Sequence, residues 1–136
     1  MPDCSKHRVL VVDDDTSIQG FLAEALADEG YSVRTAGNGR EALALVQTWR
    51  PDLILLDLMM PDMDGWGFRA QQRTLPGIAD VPVIVLSATR DLPAKAAALE
   101  PARVFAKPFD LDALLGAIQK ITEGKQDTPD GRTGTE

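Results

Sequence analysis

The sequence contains little that would suit a membrane, a secreted protein or an oxidising compartment. Cys4 is the single cysteine, so no disulfide can form within the chain, and a reducing cytoplasm is the expected location. No apolar run approaches the ~20 residues that span a bilayer. The start of the chain has no apolar stretch before a small-residue cleavage site, so we expect no signal peptide. We therefore predict a cytoplasmic protein that does not associate with a membrane.

Positive charge is also scarce. Lys and Arg number 14 against 21 Asp and Glu, which gives a formal net charge of -7. Binding of nucleic acid through its phosphates requires a basic face, so we expect none through this domain, whereas protein partners and metal cations stay possible. The single histidine, His7, precedes the first predicted strand. We expect it to be an exposed loop residue at the end of the sheet opposite the functional site.

Short apolar runs alternate with helical patterns along the chain. The apolar runs are rich in Val, Ile and Leu and predict strands buried on both faces, at 9–12, 53–56 and 83–86, with weaker candidates at 32–36 and 104–106. Between them, apolar residues repeat at spacings of three and four, which predicts helices over 16–30, 39–51, 66–75, 94–99 and 111–124. Asp15 or Thr16 is the expected cap of the first helix, and Asn38 opens the second.

Alternating strands and helices predict an α/β fold, a doubly wound parallel sheet of five strands with helices on both faces. The length of 136 residues suits one domain. We expect residues 1–7 to form an N-terminal arm, 8–124 the folded domain and 125–136 a flexible tail, since the tail is polar and has no periodicity. No pattern of a further domain follows residue 124, so we expect either a stand-alone protein or an excised domain, and the polar tail slightly favours the former.

Polar side chains follow four of the predicted strands at the point where each strand ends. They are Asp13, Asp14 and Asp15 after the first strand, Asp57 after the third, Ser87 after the fourth and Lys107 after the fifth. The functional crevice of such a sheet lies beyond the carboxyl ends of its strands, so we expect these groups to meet. Each has a simpler explanation alone, as a helix cap, a strand-end hydroxyl or a surface lysine. Their convergence favours a functional site.

The chemistry of these groups points to a metal and to phosphorus. Asp13 and Asp14 directly follow apolar residues, where like charges at a partly buried edge repel one another unless a cation offsets them. Mg²⁺ suits a site of a few carboxylate oxygens and retained waters. A neighbouring carboxylate can act as a nucleophile toward phosphorus, and Lys107 and the Ser87 hydroxyl suit the phosphoryl oxygens. We therefore predict that Asp57 can form an aspartyl phosphate. No nucleotide cradle or general base that would act on other substrates stands out in the sequence.

Four motifs resemble those of bacterial response-regulator receiver domains. They are Val-Leu-Val-Val-Asp-Asp-Asp at 9–15, Asp-Leu-Met-Met-Pro-Asp-Met-Asp-Gly at 57–65, Val-Leu-Ser-Ala at 85–88 and Ala-Lys-Pro-Phe at 106–109. The four motifs together, in this order and with this spacing, are highly specific for the family. The resemblance covers residues 8–122. It implies a flavodoxin-like receiver with strand order 2-1-3-4-5.

The resemblance also implies partners and roles. Asp57 would accept a phosphoryl group from a sensor histidine kinase or a phosphotransfer protein, and Ser87 and Lys107 would bind that group. The change of surface would then be read by an unknown downstream protein effector in two-component signal transduction. The receiver is expected to be a monomer or a weak dimer.

The same resemblance implies a ligand set for Mg²⁺. Asp14 and Asp57 would bind the ion directly, Asp13 would act through water, and the backbone carbonyl of Met59 would be a further ligand. The sequence departs from the family pattern in two places, the slightly short stretch from Ser87 to Lys107 and the residue at position 104. Many receivers carry Tyr or Phe three residues before the lysine, and here that residue is Val104, with Phe105 expected on the other face of the sheet. An aromatic rotamer switch is therefore not expected.

Three other functions are weighed against this one. A receiver-like interaction module would work without phosphorylation. An aspartate-nucleophile phosphatase of the haloacid dehalogenase type requires a second Asp two residues after the first, where this chain has Met59. A flavodoxin-like cofactor binder requires a loop after the first strand that binds phosphate, whereas Asp13, Asp14 and Asp15 in that loop would repel a phosphate group.

Overall fold

The computed structural model describes residues 7–58, 65–87, 101–106 and 109–126. Within these ranges the chain forms five strands, β1 (Arg8–Val12), β2 (Ser32–Ala36), β3 (Leu53–Asp57), β4 (Val83–Ser87) and β5 (Arg103–Ala106). It also forms four helices, α1 (Thr16–Asp28), α2 (Gly39–Leu45), α3 (Gly65–Gln72) and α4 (Leu111–Gln126). The helix predicted over 94–99 lies outside the described residues. So do 1–6 and 127–136, and the predicted boundaries of arm, domain and tail stay a prediction.

The strands form one parallel sheet in the order β2-β1-β3-β4-β5, which confirms the predicted fold class and topology. β3 occupies the middle of the sheet. Its register pairs Leu56 with Val12 of β1 on one side, and Asp57 with Leu86 of β4 on the other. The carboxyl ends of these three strands therefore lie side by side at one edge of the sheet.

Helices cover both faces of the sheet, each over its own apolar cluster. On one face, Leu10, Ile54 and Val83 pack with residues of α2 and α3, among them the fully buried Phe68. On the other face, Val9, Leu53 and Ile84 pack with residues of α1 and α4. All five residues of β3 are buried, as expected for a central parallel strand. Trp66, which is partly buried, packs against the cluster that contains Phe68.

The predicted helix caps are confirmed. The carboxylate of Asp15 accepts hydrogen bonds from the backbone N–H groups of Ser17 (2.9 Å) and Ile18 (3.3 Å) at the start of α1. Asn38 caps α2 by accepting from the N–H of Glu41 at 2.8 Å. Gly30, two residues after α1, has a φ of 98°, the left-handed conformation that glycine adopts most readily.

α2 and α3 end three or more residues earlier than the sequence predicts. α2 ends at Leu45 rather than close to Pro51, and α3 ends at Gln72 rather than at Leu75. In both places the chain changes to bonds between residues three apart, such as Thr48 N–H to Leu45 O at 3.2 Å and Leu75 N–H to Gln72 O at 3.0 Å. This tighter turn stops the helix before the proline is reached.

The amino end of the sheet has its own polar cluster. His7 is partly buried, with its Nδ1 3.6 Å from the Asp52 carboxylate, which differs from the exposed position that we expected. Its placement opposite the acidic strand ends is as predicted. The guanidinium groups of Arg8 and Arg34 lie 5.6 and 5.7 Å from the ring centre of Trp49.

Among the described residues no helix is long and apolar enough to cross a membrane.

Candidate metal centre

Two neighbouring strands bring aspartates together at the carboxyl edge of the sheet. β1 ends at Val12 and is followed by Asp13, while β3 ends with Asp57 itself. Because Val12 pairs with Leu56, the residues that follow each of them lie next to one another across the sheet. The sequence predicts Asp57 just beyond its strand, and the structure makes it the last residue of that strand.

Three carboxylates meet at this edge. One oxygen from each of Asp13, Asp14 and Asp57 lies within 4.8 Å of the others. The exposed fraction is 0% for Asp13 and 4% for Asp57, whereas Asp14 is exposed to solvent. Two buried anions at such a separation repel each other strongly unless a cation lies between or beside them. Hard carboxylate oxygens with one side open to water suit a divalent cation such as Mg²⁺ or Ca²⁺.

Asp13 is held by main-chain bonds on several sides. Its N–H donates to the carbonyl of Ala36 at 3.0 Å, which ties it to the end of β2. Its Oδ1 accepts the N–H of Asp15 at 2.9 Å. The carboxylate is therefore fixed in place by the turn that leads into α1. Asp15 points its own carboxylate into the helix start, so the third aspartate of this run has the capping role that the sequence predicts.

The remaining predicted site residues are only partly described. Ser87 is the last residue of β4 and pairs with Ala106 of β5, so its main chain lies at the same edge one position beyond the partner of Asp57. Its side chain, Met59 and Lys107 lie outside the described part of the chain. β5 ends at Ala106, the residue directly before Lys107. Their roles stay a prediction.

The fifth strand places Val104 and Phe105 on opposite faces of the sheet, as predicted. Val104 packs against the cluster beneath α2 and α3, and Phe105 packs against the cluster on the opposite face. Alternation of side chains along a strand requires this arrangement. The side chain three residues before Lys107 is thus aliphatic, and it lies on the face of the sheet that α2 and α3 cover.

One polar residue next to the site was missed by the sequence analysis. The side-chain amide of Gln19 donates to the carbonyl oxygens of Asp13 (2.5 Å) and Ala36 (3.2 Å). A signal for it does exist in the sequence. Gln19 lies three residues before Leu22 and seven before Leu26, the two buried positions of α1, and so shares their face close to the start of the helix.

Comparisons with known proteins bear directly on this site. The sequence matches the family described as the response regulator receiver domain over residues 9–119, most of the chain. The chain belongs to this family. A receiver domain is a signalling domain of two-component systems, and both the strand order and the acidic edge described above accord with that assignment.

Relatives of the receiver domain include whole regulators and solved structures. "Response regulator MprA" of Mycolicibacterium vanbaalenii is 38% identical over 129 residues, which cover 93% of this chain and 54% of that protein. The chemotaxis protein CheY4 of Vibrio cholerae has a structure with a TM-score of 0.79 at 35% identity, covering 85% of this chain and 98% of CheY4. The response regulator TrrA of Thermotoga maritima has a TM-score of 0.75 at 32% identity, covering 85% and 98%. The chain thus spans about half the length of the curated regulator it matches and nearly all of each solved receiver.

Proposed function

We propose that this receiver domain accepts a phosphoryl group on Asp57 from a sensor histidine kinase or a phosphotransfer protein. The observation that carries the proposal is the acidic cluster at the carboxyl edge. Asp57 ends the central strand with 4% of its surface exposed, and its carboxylate lies within 4.8 Å of those of Asp13 and Asp14. Asp14, the exposed member of the cluster, lies on the solvent side of this edge.

The cofactor in this proposal is Mg²⁺. Asp14 and Asp57 would hold the ion directly, Asp13 through water, and the backbone carbonyl of Met59 would complete the protein ligands. Three carboxylates supply the hard oxygens that the ion prefers. When bound, it would supply positive charge to the phosphoryl oxygens. The similar regulator TrrA has been solved in complex with Mg²⁺ and beryllofluoride, which supports this choice of ion.

The proposed reaction is a transfer between two side chains. An oxygen of the Asp57 carboxylate forms a bond to phosphorus, the bond from phosphorus to the donor histidine nitrogen breaks, and that nitrogen keeps the electron pair. Lys107 and the hydroxyl of Ser87 would bind the phosphoryl oxygens. Their movement toward the new charge would shift the equilibrium between two surface conformations. Since Val104 is aliphatic, this change would be read without an aromatic rotamer.

The partners follow from the same proposal. A downstream protein effector would bind the phosphorylated surface, with no nucleic acid bound through this domain, because the net charge of the chain is -7. The protein would act in the cytoplasm as a monomer or a weak dimer. We further propose that residues 8–124 form the receiver, preceded by a short arm and followed by a flexible tail.

Intact mass measurement tests the phosphoryl acceptor. The chain is incubated with acetyl phosphate, a small phosphoryl donor, with and without Mg²⁺. We expect one added phosphoryl group that requires Mg²⁺ and is removed by hydroxylamine, as an acyl phosphate is. Asp57→Asn should abolish the addition. Asp28→Asn, which removes an exposed carboxylate at the end of α1, is the matched control and should be phosphorylated like the wild type.

Two outcomes would overturn the proposal. An adduct that persists in Asp57→Asn places the phosphoryl group elsewhere. A wild-type chain that stays unmodified under every Mg²⁺ concentration favours the phosphorylation-independent module, which at present draws no support from the intact acidic cluster or from the relatives.

A further inference from the structure

The side chain of Gln19 joins the ends of two strands beside the acidic cluster. Gln19 lies in the first turn of α1 and is partly buried. Its Nε2 donates to the carbonyl oxygen of Asp13 at 2.5 Å and to that of Ala36 at 3.2 Å. The carbonyl of Ala36 also accepts the N–H of Asp13 at 3.0 Å. A single amide group thus closes a small hydrogen-bonded ring between the ends of β1 and β2.

The bond to Asp13 acts on the geometry of the metal site. The carbonyl of Asp13 belongs to the peptide unit that connects Asp13 with Asp14. A peptide unit is planar, so a bond that fixes its carbonyl also fixes the direction in which the chain continues to Asp14. Asp13 is already held through its N–H and its Oδ1. Asp14 is exposed, and the Gln19 amide constrains the peptide plane that leads into it.

A purely structural role explains this arrangement less well. α1 is anchored independently, by the fully buried Leu22 and Leu26 and by the Asp15 cap at its start. An amide nitrogen carries two hydrogens, and here each has a carbonyl acceptor at a strand end. The group is also neutral, so it holds the loop without adding a charge beside three carboxylates. These features suit a group that orients ligands.

We propose that Gln19 is a positioning residue for the divalent cation, acting through the Asp13–Asp14 peptide. This inference rests on the proposed function, because it takes Mg²⁺ as the ion that the cluster holds. Residues that orient metal ligands without touching the metal typically contribute 10- to 100-fold to metal affinity. Loss of the Gln19 amide is therefore expected to raise the dissociation constant for Mg²⁺ about tenfold.

The test measures Mg²⁺ binding by titration calorimetry on the full chain, without any phosphoryl donor. Gln19→Met keeps the length of the side chain and removes both donors, and should bind Mg²⁺ about tenfold more weakly than the wild type. Gln119→Met is the matched control, because Gln119 is exposed on α4 and donates to Glu123 of the same helix at 2.9 Å. It should bind as the wild type does.

Two further variants separate positioning from charge and from stability. Gln19→Glu adds a negative charge close to the ion. Electrostatic attraction alone would predict tighter Mg²⁺ binding in this variant. Positioning predicts weaker binding instead, because a carboxylate oxygen replaces the donor that faces two carbonyls. Leu22→Ala weakens the packing of α1 and lowers the urea midpoint, but leaves the Gln19 amide in place. Its Mg²⁺ dissociation constant should equal that of the wild type.

The possible results lead to distinct conclusions. Wild-type affinity in Gln19→Met, or tighter binding in Gln19→Glu, overturns the inference and leaves the proposed function intact. Equal weakening in Leu22→Ala and Gln19→Met also overturns it, since loss of stability alone would then explain both. A wild-type chain that binds no Mg²⁺ overturns the proposed function itself, and the Gln19 inference with it.

Discussion

Gly77 lies in the turn between α3 and β4 with a φ of 91°. The guanidinium group of Arg50, from the segment between α2 and β3, packs directly against it. A Cβ built on Gly77 would lie 1.8 Å from Nη1 of Arg50. Arg50 is exposed and can move its head group away. The left-handed backbone conformation would still cost conformational free energy for any residue other than glycine. Glycine is therefore favoured here mainly by the backbone conformation, and a side chain would also displace the Arg50 head group.

Gly77→Ala is expected to lower the free energy of unfolding by about 1 to 2 kcal/mol, because alanine adopts a left-handed conformation at a cost. Gly116→Ala is the control. Gly116 is exposed within α4, and a Cβ there would meet nothing within 4 Å. It should raise the free energy of unfolding by about 0.5 to 1 kcal/mol through helix propensity. Urea denaturation measures both, and a shift of the same sign in the two variants would contradict the explanation.

The structurally important side chains that the sequence analysis missed are polar ones that donate hydrogen bonds to main-chain carbonyls. Gln19 is one. Gln72 is another, since it is fully buried, donates to the carbonyls of Ile78 (2.8 Å) and Val81 (3.1 Å), and accepts from Arg69 at 2.9 Å. Motifs show which groups follow a strand, and so Asp13, Asp14 and Asp57 were found. Which carbonyl lacks a donor depends on the path of the loops, and the sequence does not display that path.

The start of α1 lies next to the metal centre. The N–H of Asp15 bonds to Asp13, and the carboxylate of Asp15 bonds to the N–H groups of Ser17 and Ile18. One residue therefore serves the site through its main chain and the helix through its side chain. A substitution of that side chain separates the two contributions.

Asp15→Ala should lower the free energy of unfolding by about 1 kcal/mol, the usual loss when a helix cap is removed. Asp15→Ser retains a capping oxygen and should restore most of that loss. Because the Asp15 main chain stays in place, Mg²⁺ affinity measured by calorimetry should change little in either variant. A marked loss of affinity in Asp15→Ser, with normal stability, would instead assign the Asp15 carboxylate to the metal.

The strands were predicted to within a residue at each end, and the helix ends less well. A buried parallel strand requires apolar residues on both faces, so the sequence carries its boundaries as changes of polarity. Asp57 and Ser87 are polar and were placed just outside β3 and β4, although main-chain pairing extends to them. The ends of α2 and α3 depend on tight turns that precede Pro51 and Leu75, and these turns leave no polarity change to detect.

At the scale of the molecule, the two ends of the sheet have different chemistry. The carboxyl end holds the acidic cluster, and the amino end holds Trp49, whose ring contacts the guanidinium groups of Arg8 and Arg34. The second tryptophan, Trp66, is the second residue of α3, in the segment that follows Asp57 along the chain. The parallel direction of the strands separates these two ends, and it was predicted from the alternation of strands and helices. The order of the strands across the sheet was expected only from the family resemblance, because alternation is compatible with several orders.

Fluorescence should therefore report on the site through Trp66 alone. Addition of Mg²⁺ and beryllofluoride is expected to change the emission of the wild type and of Trp49→Phe to a similar extent. Trp66→Phe should lose the response, because Trp49 lies at the other end of the sheet against two guanidinium groups. A response that disappears in Trp49→Phe would show that binding at the carboxyl end changes the environment of Trp49 at the opposite end of the sheet.

The central place of β3 has a consequence for motion. Its five residues are buried and it is paired along both edges, and strands of this kind exchange their amide hydrogens only when the whole molecule opens. Asp57 is the last residue of this strand and is paired with Leu86 of β4. The group that would receive the phosphoryl signal is therefore anchored to a strand expected to open rarely, and a change of shape is expected to arise in the elements around it.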